Sequence, residues 1–201
     1  MDEITQTRLI VLGIVLAIVA YWLWTRALEK ARQARFAALA QSFGRRPVPE
    51  GDSLWRFLVA IDGRTFEVRH QYISGATGAG WAAGWYLVTQ TDLQGVSDLH
   101  SFEIRARTRR GQVIEPSDPE FEKHFTVRDS GYPPREGWLK QRVRTAIAHF
   151  YALDLRLDPL SVEEGRLVHR SHLAVKRFDG DLLRELLTRQ GAVAAVLEQT
   201  V

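Results

Sequence analysis

Residues 9–24 read LIVLGIVLAIVAYWLW, sixteen in a row without a charge, bracketed by Arg8 and Arg26. A surface helix of a soluble domain carries a polar stripe, and this run has none. As a helix it spans roughly 24 Å, slightly less than the ~30 Å hydrocarbon layer of a bilayer. Arg8 and Arg26 make up the difference by snorkelling, while Tyr21, Trp22 and Trp24 suit the headgroup boundary. The sequence therefore predicts a single transmembrane helix over 9–25, after a short tail 1–8. Its anchoring residues are Leu9, Leu12, Leu16, Val19, Tyr21, Trp22 and Trp24. A cleaved signal peptide needs a basic start, but Asp2 and Glu3 outnumber Arg8, and Ile18 spoils a small-residue cleavage site at Ala20.

Orientation follows from the flanks. Before the run stands Arg8 alone; after it come Arg26, Lys30, Arg32 and Arg35, then Arg45 and Arg46. The positive-inside rule puts the C-terminal side in the cytoplasm. The lack of cysteine is compatible with a reducing compartment.

The formal charge of +3 is unevenly distributed. Residues 26–46 hold six basic groups and one acid, Glu29, for a net +5, whereas 47–201 sum to −1. Basicity is juxtamembrane, which argues against nucleic acid as a partner and suits an anionic inner leaflet. The residues beyond the span suffice for one domain with its own core, without disulfides or metals.

Residues 26–43 are rich in helix formers, so the membrane helix is expected to continue past the bilayer to a left-handed cap at Gly44, with Pro47 and Pro49 blocking continuation. Leu28, Leu39 and Phe43, with Phe36 beside them, form the face expected to pack on the domain. Pro47–Ser53 reads as a linker into a domain over 47–201. Strands are expected at Leu54–Ile61 and Arg64–Ile73, joined by a two-residue turn at Asp62-Gly63, then at Gly84–Thr91, Leu99–Thr108 and Phe121–Val127. These look like a meander with one covered face. The period then changes. Gly137–Leu153 reads as an amphipathic helix, Leu160–Glu163 and Arg166–His172 as a hairpin about Glu164-Gly165, and Asp179 as the cap of a leucine-rich last helix. The order βββββ-α-ββ-α predicts an α+β fold, an antiparallel sheet with helices on one face.

The segment Asp118-Pro-Glu-Phe121-Glu122-Lys-His-Phe125-Thr-Val127, followed by helix, hairpin and helix, resembles an uncharacterised bacterial family of membrane-anchored proteins with a domain of unknown function. The likeness covers about residues 100–200 and lies in the pattern D-x-x-F-E-x-x-F-x-V. This chain departs from the family in having one anchor rather than a pair, and a long glycine loop. The resemblance implies a bacterial, membrane-attached, non-catalytic domain, and it transfers no catalytic residue.

Gly78-Ala-Gly80-Trp81-Ala-Ala83 satisfies G-x-G-x-x-A after a strand, but a dinucleotide fingerprint needs a helix and a parallel strand next, and Trp85-Tyr-Leu-Val reads as a strand almost at once. A loop between antiparallel strands is the simpler reading; the alternatives are a small-molecule or nucleotide-binding enzyme using loop 74–84, or a loop whose Trp81 and Trp85 dip into the bilayer interface or a partner. Arg105, Arg107 and Arg109 share a strand face and could meet acidic lipid or an acidic partner, against the plainer reading of a solvated face balanced by Glu103. His169 and His172 fall on opposite strand faces and lack the further ligands zinc needs. No nucleophile elbow, P-loop lysine or cysteine is present. The sequence thus yields no catalytic, cofactor or metal residue. It yields a set of lipid- or partner-contact candidates: Arg26, Lys30, Arg32, Arg35, Arg45, Arg46, Trp81, Trp85, Arg105, Arg107 and Arg109. The expected role is a single-pass accessory or interaction protein with an unidentified protein partner, or a module that binds anionic lipid surfaces.

Overall fold

The computed structural model describes residues 3–51, 54–74, 83–95, 102–106, 125–129, 140–153, 159–172 and 178–199. Glu3–Ser42 form one helix, α1, of 40 residues, roughly 60 Å long at ~1.5 Å per residue. No proline interrupts it, and good helix formers fill its second half. Gly44 closes it at φ 66°, with its N–H on the Gln41 carbonyl at 2.8 Å and the Arg45 N–H on the Ala40 carbonyl at 3.0 Å. The helix runs through 25/26 without a break, as its sequence leads one to expect.

Eight strands follow: β1 (Val48–Pro49), β2 (Leu54–Ile61), β3 (Arg64–Ile73), β4 (Gly84–Asp92), β5 (Phe102–Ala106), β6 (Phe125–Asp129), β7 (Leu160–Glu163) and β8 (Arg166–Ser171). They make one antiparallel sheet in the order β1-β2-β3-β4-β8-β7-β5-β6. The turns at Asp62-Gly63 and Glu164-Gly165 take positive φ at both central residues, as two-residue hairpins require.

Two expectations are corrected. The first is the simple meander: β4 pairs with β8, and the β7–β8 hairpin stands between β4 and β5. The physical reason is burial on both faces. Tyr86-Leu87-Val88 and Leu167-Val168 do not alternate, and strands of that kind belong at the centre of a sheet. The second is the linker 47–53, whose Val48 and Pro49 pair with Arg56 and Trp55 as an edge strand, a position that tolerates proline. The expected strand at 121–127 is seen at Phe125–Asp129, and the helix expected from 137 is seen from Gln141, with Lys140 preceding it.

Helices α2 (Gln141–Tyr151) and α3 (Gly180–Glu198) lie with the end of α1 on one face of the sheet. This is the α+β architecture expected from the order of elements. Phe36, Leu39 and Ala40 of α1 join Phe57, Phe66, Val68 and Leu87 of the sheet and Leu183, Leu186 and Leu187 of α3 in one core. Asp179 caps α3 by accepting from the Leu182 N–H at 2.8 Å. Gln190 pins the middle of α3. Its Nε2 donates to the carbonyls of Thr89 (3.2 Å) and Leu167 (3.0 Å), and its Oε1 accepts from the Thr89 hydroxyl at 2.6 Å. At the end of α2 the Tyr151 hydroxyl donates to the Ile104 carbonyl and accepts from the Leu160 N–H, tying the helix to β5 and β7.

Candidate functional site where the apolar helix meets the domain

Helix α1 is long and apolar enough near the N-terminus to cross a membrane, and none of that window is buried against the rest of the chain. From Val11 to Trp24 its large apolar side chains are 46–65% exposed. Leu12, Leu16, Val19, Tyr21, Trp22 and Trp24 all stand free of the domain, while only the helical backbone is described at Leu9. Water is a poor solvent for such a surface; lipid is a good one.

The same helix then meets the domain in a fixed sequence of contacts. Arg26 folds back over the Trp22 ring, 4.2 Å from its centroid. Arg32 lies over the Trp85 ring at 5.4 Å. Trp85 stacks on His70 at 4.8 Å, and His70 stacks in turn on Phe36 at 5.6 Å. Tyr72 meets Trp85 edge-on at 5.7 Å. Further along, Phe36 and then Phe43 pack on Phe57 at 5.3 and 6.1 Å. Burial pushes the His70 imidazole down to about 4, helped by the Arg32 charge, so Arg32 is the cation of this stack at neutral pH.

This order of contacts orients the sheet. Trp85 pairs with Tyr72 at the start of β4 and the end of β3, whereas Phe57 pairs with Val68, four residues back along β3. As α1 leaves the apolar segment it touches the Ser74/Ala83 end of the sheet first. That end also holds His172, just past β8. The tight turns at Asp62-Gly63, Gln94-Gly95 and Glu164-Gly165 lie at the opposite end.

The contact candidates are distributed accordingly. Arg26, Lys30 and Arg35 are exposed on α1, Arg32 is half-buried against Trp85, and Arg45 and Arg46 follow the cap. Among the described residues no ion pair engages any of them. Arg105 lies elsewhere, on the sheet face away from the helices, with its Nε on Glu103 at 2.5 Å. That outer face is a lattice of matched charges. Arg170 holds Glu163 through both nitrogens, and Arg56, Arg69 and Gln90 converge on Glu67. Burial raises the Glu67 carboxyl, but these three donors outweigh it and hold it below the usual range. Trp81, Arg107 and Arg109 lie outside the described residues, as do Asp118 and Phe121 of the family-like segment; its Phe125 is buried against Tyr151.

Sequence reasoning missed His70 and Tyr72 as partners of Trp85. Their alternation with Val68 placed them on the helix-covered face, but nothing local says which helix residue arrives there. The glycine loop is flanked by Ile73 and Gly84, which pair antiparallel. The parallel strand that a dinucleotide fingerprint needs is therefore not the neighbour here. A cleft of about 500 Å³ opens between α1 and the start of α3, lined by Arg35, Ala38, Leu39, Ser42, Phe178, Asp179 and Gly180. Its one carboxylate is engaged as the α3 cap. His169 is fully buried, edge-on to Phe150, and among the described residues neither ring nitrogen has a hydrogen-bond partner. His172 is exposed against Tyr86, on the other face. Among the described residues no three of His, Asp and Glu converge as a metal would require.

No protein-family model, curated protein or solved structure matches the chain.

Proposed function

We propose that the protein is a single-pass membrane-anchored accessory module, with its α+β domain held on the cytoplasmic side of a bacterial inner membrane. One observation carries this reading: α1 runs without a break from a fully exposed apolar surface into the domain core at Phe36, Leu39 and Ala40. A continuous helix fixes both the distance and the orientation of the domain relative to the bilayer. It also raises the domain's effective concentration near other membrane proteins. The six cations between 26 and 46 favour the cytoplasmic side. The domain acts through position, presenting a surface to a protein partner.

The chain has no cysteine, so Asp2→Cys and Gln199→Cys each give one reporter. A membrane-impermeant maleimide applied to intact bacteria is expected to label position 2, and to label position 199 only after permeabilisation. Labelling of position 199 in intact cells would reverse the orientation. Release of the full chain from membranes by alkaline carbonate would remove the span. Photo-crosslinking from the domain, with residues 1–46 alone as control, then asks whether the domain engages a protein that the anchor does not.

A further inference from the structure

We infer that the Ser74/Ala83 end of the sheet rests on the bilayer surface, where Arg26 and Lys30 bind the phosphates of anionic phospholipids. This rests on the membrane reading above and names the surface that the domain contacts. The order of contacts along α1 sets which end of the sheet faces the span: Trp85 meets Arg32, eight residues beyond Trp24, while Phe57 is reached at Phe36 and Phe43. At ~1.5 Å per residue, Arg26, Lys30 and Arg32 stand roughly 3, 9 and 12 Å above Trp24. A headgroup layer is roughly 5–8 Å deep. Side chains on a helix lean toward its N-terminus, which here is toward the bilayer; Arg26 lies back over Trp22 in that sense, and Lys30 stands one turn above it, while Arg32 stands beside Trp85.

Charge complementarity selects the occupant. These cations have no ion-pair partner among the described residues, and Glu29 is the only acid between 26 and 46. Every ion pair seen in the domain matches its charges internally, as on the outer face around Glu67 and Glu163. The neighbouring groups suit an interface. Tyr72 is half exposed, Ser74 and Ala83 are exposed, and Trp85 is half-buried beneath Arg32. A tyrosine and a tryptophan beside unmatched cations favour the boundary between hydrocarbon and water. The stack Arg32–Trp85–His70–Phe36 fastens α1 to the sheet end beside which these cations stand.

The full chain is reconstituted in nanodiscs of phosphatidylcholine alone or with 30% phosphatidylglycerol, each with a trace of headgroup-nitroxide lipid. A bimane is placed on Ala83→Cys or, as the far-end control, on Gln94→Cys. Quenching at position 83 is expected to be two- to threefold greater in the anionic discs, to decline with salt, and to exceed that at position 94 in both. Arg26→Gln with Lys30→Gln, which leaves the Trp85 stack intact, is expected to bring the anionic discs down to the zwitterionic level. Equal quenching at 83 and 94 overturns the orientation. Strong quenching at 83 that ignores lipid charge and the double substitution overturns the phosphate contact. Failure of the chain to enter discs at all strikes the anchor reading instead.

Discussion

The two halves of α1 invert the usual rule of burial. Between Val11 and Trp24 the helix is almost wholly apolar and wholly exposed; between Leu28 and Phe43 it is mixed in composition and packed on a sheet. Water is a poor solvent for the first half and a good one for the second. On the membrane reading proposed above, one helix serves two solvents with no linker between them, so the domain is held rather than tethered.

The largest expected effect comes from breaking the docked half. Phe36 is buried against Phe57 and His70, and Phe36→Ala is expected to cost ~3–5 kcal/mol of domain stability. Thermal melts of the full chain in nanodiscs should show the domain transition fall while the helical signal of the span persists. Breaking the apolar half comes next. Leu16→Arg places a charge near the middle of the run, at ~2.5–3.5 kcal/mol, and should shift the chain from the membrane to the soluble fraction with the domain still folded.

Acid should separate the halves. Burial and the nearby Arg170 charge lower His169 to about 3. The unfolded chain takes up a proton near 6.5, whereas the folded domain resists until near 3, so the unfolded state holds more protons in that window. Domain stability is therefore flat above 6.5 for this group and falls on acidification, by about 2 kcal/mol at pH 5. His70, lowered to about 4, adds to the loss in the same direction. Residues 9–24 contain no acid, histidine or lysine, and their helix should not respond. His169→Leu should flatten the pH profile of the melt and raise the melting temperature at neutral pH, since two nitrogens without a hydrogen-bond partner among the described residues leave the core. A profile unchanged by the substitution would mean the imidazole finds a partner that stabilises its charge.

The smallest effect is local. Asp179→Ala removes the side-chain acceptor for the Leu182 N–H at the start of α3, close to Ser42 of α1. It is expected to cost ~1 kcal/mol, seen as a modest fall in the domain melting temperature with no change in membrane insertion.

Much of the scaffold was legible because its signals are local. The long apolar helix declares itself by an uncharged run, the hairpins by Asp62-Gly63 and Glu164-Gly165, and the last helix by Asp179 ahead of spaced leucines. What was not legible is non-local. Neither β5 nor β8 says in its own sequence that it will neighbour β4 or β7; the clue is the unbroken apolar pair Leu167-Val168, which marks a strand covered on both faces. The junction was half legible. Arg32 and Trp85 both stood out as contact residues, one for charge and one for its indole, but they are far apart in sequence. Only the fold shows that they touch, with His70 and Phe36 behind them.

The most direct test of one rigid helix in two solvents is a distance between its immersed half and the far end of the domain. With no native cysteine to interfere, nitroxides on Leu23→Cys and Gln94→Cys report that distance in nanodiscs by pulsed electron resonance. A rigid, continuous α1 predicts a single narrow distribution that is unchanged between lipid compositions. A broad distribution would mean a hinge between Trp24 and Phe36, and the domain would then be tethered rather than held.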